Sequence, residues 1–422
     1  MNILVIGNGF DRVHKLPTRY TDFLRYCREY KEDNPISKYA EMNDEFLSFI
    51  NENIWLKYFI EITPNLDDDL TWIDFENEVS NVVRFFESGN ISLRPAKFGG
   101  LVGYSFISAK DVPMEKRLLK SVEPLISSFF DNGNDSPYVY TLTDNRVIDI
   151  KHMISFISTH LKLFARAFEI YCLMVNNVLI SNPPIITSFK SEVDFLRKES
   201  YRLLSVMDNS SVSSYERLDA EIKYEMVSSK FRQISPIDYF AFPLFDCVLS
   251  FNYTNTFERL YGNDKTQYCY IHGKAQSDAT KTNIIFGIDD GLRDGDESKN
   301  FKWVNFKKYY QRIILKTSST YKDWLSSSSL QEGKNFVHIV GHSLDKTDHE
   351  VLYEIFTNEK FNIIIYYYND NDFEEKVQKT MELLSYRGKN GRDELISRVH
   401  GSQRTIKFSY LYDADEGLFL NI

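Results

Sequence analysis

The chain opens on four consecutive apolar residues, Ile3-Leu4-Val5-Ile6. A branched run of that length predicts a strand buried on both faces. From residue 19 the period lengthens. Tyr20, Phe23, Leu24 and Cys27 fall at helical spacing and predict a helix over 19–30, capped by Thr18. Three-and-four spacing continues to residue 90, at Phe46, Phe49 and Ile50 and again at Val79, Val82, Val83 and Phe86. Pro35, Pro64 and Asp67-Asp68-Asp69 break it. Residues 90–145 lose the period, with turn signals at Gly99-Gly100 and from Asp131 to Asp135, and no strand is assigned there. Helical spacing returns over 148–235, as at Ile154, Ile157, Leu161, Phe164, Phe168 and Cys172, with a Ser-rich break over 209–214.

After residue 242 short β-type runs take over, at 245–251, 267–271, 283–286, 336–340 and 361–368. A helical stretch separates the third from the fourth. Together with the N-terminal run they predict the body of an α/β sheet. The intervening helices form a long insertion or a second layer.

Composition narrows the class. A chain of 422 residues, 43% of them hydrophobic, is long enough for two domains, or one with a large insertion. The formal net charge of -10 disfavours nucleic acid as a partner. The four cysteines, Cys27, Cys172, Cys247 and Cys269, form no CxxC pair. That argues against a zinc ribbon or a disulfide framework and fits a reducing compartment. With no leader-like segment and no run long enough to span a membrane, the expectation is a cytoplasmic protein without membrane contact.

Candidate chemistry lies at the carboxyl ends of the predicted strands, where open α/β sheets bind ligands. After the first strand comes Gly7-Asn8-Gly9-Phe10-Asp11. Such a glycine turn either cradles nucleotide phosphates or is an ordinary strand-to-helix turn; Arg12 stands where the dinucleotide motif has its third glycine. Later strands end in Asn252-Tyr253-Thr254, in His272-Gly273-Lys274, in Gly287 with Asp289 and Asp290, and in Gly341-His342-Ser343-Leu344-Asp345. His272, between an apolar strand and a glycine, is either structural or a general acid–base group. His342 suits a cofactor contact, and Ser343 suits a helix cap or a phosphate contact. Asp74 and Glu76, in Trp72-Ile73-Asp74-Phe75-Glu76, stand at a helix start, where carboxylates are favoured, with a catalytic role as the alternative. No HExxH, Walker A, GxSxG or CxxC motif is present.

Taken together, these blocks resemble the AbiH family of bacterial phage abortive-infection proteins. The resemblance rests on Gly7-Asn8-Gly9-Phe10-Asp11, His14-Lys15-Leu16-Pro17-Thr18, Tyr20-Thr21-Asp22-Phe23 and Trp72-Ile73-Asp74-Phe75-Glu76. It continues in Phe251-Asn252-Tyr253-Thr254, Ile271-His272-Gly273 and Val340-Gly341-His342-Ser343-Leu344. The same landmarks are similar, more distantly, to the sirtuins. There a GAG turn precedes an Ile-Pro, an Asn and an Asp end one strand, a general-base His precedes a Gly, and a later phosphate turn reads GTSL.

The sirtuin resemblance implies a Rossmann-like, mostly parallel sheet with an NAD site. It would occupy residues 1–30 and 240–422, with a mainly helical insertion over 31–239. Thr254 replaces the sirtuin Asp, and the four-cysteine zinc module is absent, which argues against protein deacylation. Sirtuin-like domains of phage defence without that module are associated with NAD hydrolysis. The implied activity is cleavage of the nicotinamide–ribose bond of NAD, as substrate and without a metal, by His272 and Asn252. Gly7, Asn8, Gly9, Phe10, Asp11, Pro17, Thr18, Gly341, His342 and Ser343 would bind the nucleotide. The alternative is a non-enzymatic nucleotide-binding switch that recruits a partner during infection. A phage-derived trigger, a partner protein or a second copy of the chain would then bear on the insertion.

Overall fold

The computed structural model describes residues 1–14, 16–31, 44–63, 72–87, 91–98, 101–108, 139–142, 145–148, 150–180, 213, 220, 223, 245–288, 301–331, 334–386, 390–400 and 406–410. The chain divides into two units. One comprises Met1–Pro17, Cys172–Ala275 and Thr317–Ile422; the other comprises Thr18–Tyr171 and Gln276–Lys316.

The first unit is built on a six-stranded sheet. Numbered within this unit, its strands are β1 (Asn2–Ile6), β2 (Cys247–Ser250), β3 (Gln267–Tyr270), β4 (Phe336–Val340), β5 (Asn362–Tyr367) and β6 (Ile406–Tyr410). All neighbours pair parallel, in the order β6-β5-β4-β1-β2-β3. This order is compatible with a Rossmann-like fold, with β4, β5 and β6 on one side of β1 and β2 and β3 on the other. The order reverses between β1 and β4, so the switch point lies there.

Alternation along the strands explains why both faces are covered. Ile3 and Val5 join Cys247, Leu249, Val337, Ile339, Ile363 and Ile365 in one apolar cluster. That face is packed by α3 (Tyr321–Ser326), α4 (His349–Phe356), α5 (Asp370–Ser385) and α6 (Gly391–His400), through residues such as Trp324, Leu352, Leu383 and Leu395. Leu4 and Ile6 face the other way, with Val248 and Val340. They are covered by Phe10 of α1 (Asn8–Val13) and by Phe257 of α2 (Thr256–Leu260) with Tyr261. A central strand apolar on both faces is what its unbroken run of branched residues requires.

The second unit carries the helices Tyr20–Lys31, Asp44–Glu52, Ile54–Ile62 and Trp72–Glu87, and the part of Ile150–Ile180 up to Tyr171. Its core is aromatic: Phe59 and Phe75 lie 4.5 Å apart, and Phe75 and Phe286 5.1 Å apart. Within it Glu76 Oε1 and Lys308 Nζ form a buried ion pair at 2.7 Å. Glu76 thus has a structural partner, although its helix begins where the sequence pattern places it. Among the described residues no helix is long and apolar enough to cross a membrane.

Three features depart from the sequence pattern. The run 283–286 is not a strand; Ile284, Ile285 and Phe286 are buried in the second unit, and only Ile288 makes an isolated bridge, to Lys307. Apolar runs of that length read alike in a strand and in an irregular buried segment. The stretch expected to be mainly helical also holds a four-stranded antiparallel sheet. Its strands are Ile91–Phe98, Leu101–Ser108, Val139–Leu142 and Asn145–Ile148. Finally, β6 was not expected. The helical spacing over 181–235 lies outside the described residues except at 213, 220 and 223, as do Asp289 and Asp290.

Candidate active site

The register of the first unit fixes what meets at the carboxyl edge. Ile6 pairs with Ser250 on one side and Val340 on the other, and Ser250 pairs with Tyr270. The next residues are therefore Gly341, Gly7, Phe251 and Ile271 in a row, and His342, Asn8, Asn252 and His272 leave the sheet together. Backbone bonds continue the ladder beyond the strands. Phe251 N donates to Ile6 O at 2.9 Å, and Ile271 N to Ser250 O at 3.0 Å.

The two glycine turns at the switch point lock into each other. Gly7 N donates to Val340 O at 3.3 Å and Gly9 N to Gly341 O at 2.8 Å. A Cβ on Gly9 would lie 2.8 Å from Gly341 Cα. Gly341 has φ +62°, and a Cβ there would collide with the backbone nitrogen of Phe10. These glycines are needed first so that two backbones can touch. The amide of Gly9 is committed to the neighbouring turn rather than to a phosphate. Asn8, Gly9, Gly341 and Ser343 remain half-exposed on the rim, whereas Gly7 and His342 are buried. Phe10 sits in the core against His14 and Phe257. Pro17 is exposed, and Thr18 belongs to the second unit.

Asp11 is 1% exposed, and burial pushes its carboxyl up to about 6, against the partial relief of hydrogen bonding from Thr254, Thr256 and Asn252. Thr254 Oγ1 donates to Asp11 Oδ2 at 2.5 Å, and Thr256 Oγ1 donates to Thr254 Oγ1 at 3.1 Å. Thr254 thus holds a carboxylate brought in from the first turn. The Asn252 amide lies near enough to ease the ionisation of Asp11, yet neither Asn252 Nδ2 nor Asp11 Oδ1 completes a well-aligned hydrogen bond. Two incompletely satisfied polar atoms at one buried point are uncommon in a settled core. Nearby, burial depresses His14 to about 4, and Tyr261 Oη lies 2.9 Å from its Nε2.

His272, 5% exposed, presents Nε2 to Asp348 Oδ1 at 2.9 Å. The approach is bent rather than aligned, as catalytic contacts commonly are before substrate binds. The other carboxylate oxygen of Asp348 lies 3.6 Å from His342 Nε2. Leu344 N donates to His342 Nδ1 at 3.0 Å, so the remaining nitrogen of a neutral His342 carries its proton toward Asp348. Leu344 adopts φ +60° to do this. Phe251 packs edge-on against both imidazoles, with ring centroids 4.3 Å from His342 and 5.4 Å from His272. Lys376 Nζ donates to His342 O at 2.7 Å and holds the turn on α5.

The structure therefore brings Asn252, His272, His342 and Asp11 to one edge of one sheet. It adds Asp348, which the sequence pattern does not mark as chemical. In sequence Asp348 is one of several polar residues before a helix; only the fold turns it back toward His272. Ser343 does not cap that helix; the short turn Lys346–Asp348 is capped by Asp345, whose carboxylate accepts from Lys346 N at 2.9 Å. Among the described residues no group of His, Cys, Asp or Glu is arranged to hold a metal ion.

The family model described as Bacteriophage abortive infection AbiH matches residues 3–370. Neither the curated proteins nor the solved structures contain a significant match. The matched span includes every strand end described above, from the Gly7 turn to Asp348. This chain belongs to the AbiH family of bacteriophage abortive-infection proteins, a membership that points to a function in phage abortive infection.

Proposed function

We propose that this AbiH protein binds NAD across the switch point of the first unit and hydrolyses its nicotinamide–ribose bond, depleting NAD during infection. One observation carries the reading. Asn252 and His272 leave adjacent strand ends of a sheet wound in dinucleotide-binding order, with Asp348 at His272 Nε2. Two incompletely satisfied buried atoms, on Asn252 and Asp11, supply a donor and an acceptor suited to ribose hydroxyls or an attacking water. The likeness to sirtuins remains part of this proposal, on the residue blocks already given.

The pyrophosphate would lie on the half-exposed rim of Asn8, Gly9, Gly341 and Ser343. The nicotinamide ribose would point inward to Asn252 and His272. In the reaction the C1′–N bond breaks and its electron pair leaves with neutral nicotinamide. A water oxygen bonds to C1′, and its proton passes to His272. The pyridinium leaves readily, so the site has mainly to orient the ribose, place the water and exclude bulk solvent.

The test is incubation of the purified protein with NAD, followed by chromatography for nicotinamide and ADP-ribose in equal amounts. Stoichiometric products are the expected result. Intact NAD recovered together with tight binding would favour the non-enzymatic switch. Intact NAD without binding, in lysate from phage-infected cells as well as in buffer, would overturn the reading.

A further inference from the structure

Asp348 occupies an unusual position for a carboxylate. It is the residue at the start of α4, where an Asp side chain ordinarily accepts from the first free amides of the helix. Here it makes no such capping bond. Its oxygens are turned the other way, one to His272 Nε2 at 2.9 Å and one toward His342 Nε2 at 3.6 Å. The side chains of all three residues are nearly inaccessible, at 7%, 12% and 3% for His272, Asp348 and His342. A capping interaction has been given up to place one carboxylate between two imidazoles.

We propose that Asp348 is the positioning residue of the site: it holds the Nε2 proton of His272, so that Nδ1 is the nitrogen that exchanges a proton with substrate, and His342 keeps the carboxylate aimed. The assignment of Nδ1 as the working nitrogen rests on the hydrolase reading above; the tautomer of His272 does not. His342 fits this role through its own fixed geometry. The Leu344 amide fixes its Nδ1 as acceptor, and the strained φ of +60° at Leu344 is the means. Lys376 anchors the same residue from α5 through its carbonyl. A carboxylate that orients a histidine in this way stabilises the imidazolium formed when the base takes its proton, without itself being protonated.

The tautomer is measured directly by 15N NMR of the imidazole nitrogens at pH 8, with the His272 signals assigned by their loss in His272→Gln. Wild type is expected to show His272 with the proton on Nε2. Asp348→Asn, whose amide can donate to Nε2, is expected to move the proton to Nδ1. A wild-type signal with the proton on Nδ1, or a folded Asp348→Asn with unchanged His272 signals, would overturn the proposal. NAD turnover gives the second readout, with kcat of Asp348→Asn falling about 100-fold or more and KM staying within a few-fold. A full kcat there would also overturn it. Should wild type hydrolyse no NAD, the hydrolase reading fails, and the tautomer still decides the role of Asp348. Should Asp348→Asn fail to fold, the wild-type tautomer alone decides.

Discussion

Replacing His272 by Ala is expected to lower NAD turnover about 100-fold or more, the usual scale for losing a general acid–base group. The same loss is expected for Asn252→Ala. The two differ in what they do to the fold. Removing the His272 imidazole leaves Asp348 without the partner 2.9 Å away, and a buried carboxylate deprived of a partner destabilises its surroundings. His272→Gln separates the effects. Gln keeps an amide donor for Asp348 but cannot act as a base, so its thermal midpoint should stay near wild type while turnover falls as in the Ala variant. Asn252→Ala removes an Nδ2 that completes no aligned bond and only the smallest of the three hydrogen-bonding reliefs of Asp11, so the fold should persist. Undiminished hydrolysis by His272→Gln would remove His272 from the chemistry, and a normal rate for Asn252→Ala would remove Asn252.

Asp11→Asn is expected to make the protein more stable at neutral pH and less active. Burial raises the Asp11 carboxyl to about 6, whereas an unfolded Asp ionises near 3.8. Below pH 4 the group is protonated in both states and has no net effect. Between pH 4 and 6 the folded chain retains a proton that the unfolded chain has released. Stability therefore falls as pH rises through this window, by on the order of 3 kcal/mol in total. Asn removes that loss while still offering an oxygen to Thr254 Oγ1. Two buried histidines act in the opposite sense. His14 and His338 are both depressed to about 4 by burial, so their contribution is present above pH 6.5 and lost as pH falls through 4. They are common to variant and wild type, and the difference between the two proteins isolates Asp11. Denaturant titrations from pH 4 to 8 should show Asp11→Asn ahead at pH 7, with the gap closing toward pH 4. A constant gap, or a less stable variant at pH 7, would contradict the burial of a strained carboxylate.

Much of the sheet was legible in the sequence because its strands are short, branched and buried. Ile3-Leu4-Val5-Ile6 reads as a strand buried on both faces and is one, and four of the five later runs belong to the same sheet. What failed is what local pattern does not encode. The run 283–286 has strand-like residues, but it belongs to the second unit, where Phe286 packs against Phe75 and Phe164 instead of joining the sheet. The strand Ile91–Phe98 contains Pro95, Arg94 and Lys97, which hide it among loop signals. At the site, the edge residues were readable because glycines and polar side chains end each strand. Their working partners were not. Asp348 depends on where α4 begins, and the link between Asp11 and Thr254 joins residues 243 positions apart. The glycine turn reads equally as a phosphate cradle or an ordinary strand-to-helix turn, and the amides of Gly7 and Gly9 are spent on a neighbouring backbone.

The most direct measurement is the structure of His272→Gln crystallised with NAD, in which slow turnover preserves the ligand. The pyrophosphate is expected on the rim of the Gly7–Gly9 and Gly341–Ser343 turns, with the nicotinamide ribose against Asn252 and position 272. NAD bound elsewhere on the chain, or an empty switch point at saturating NAD, would contradict it.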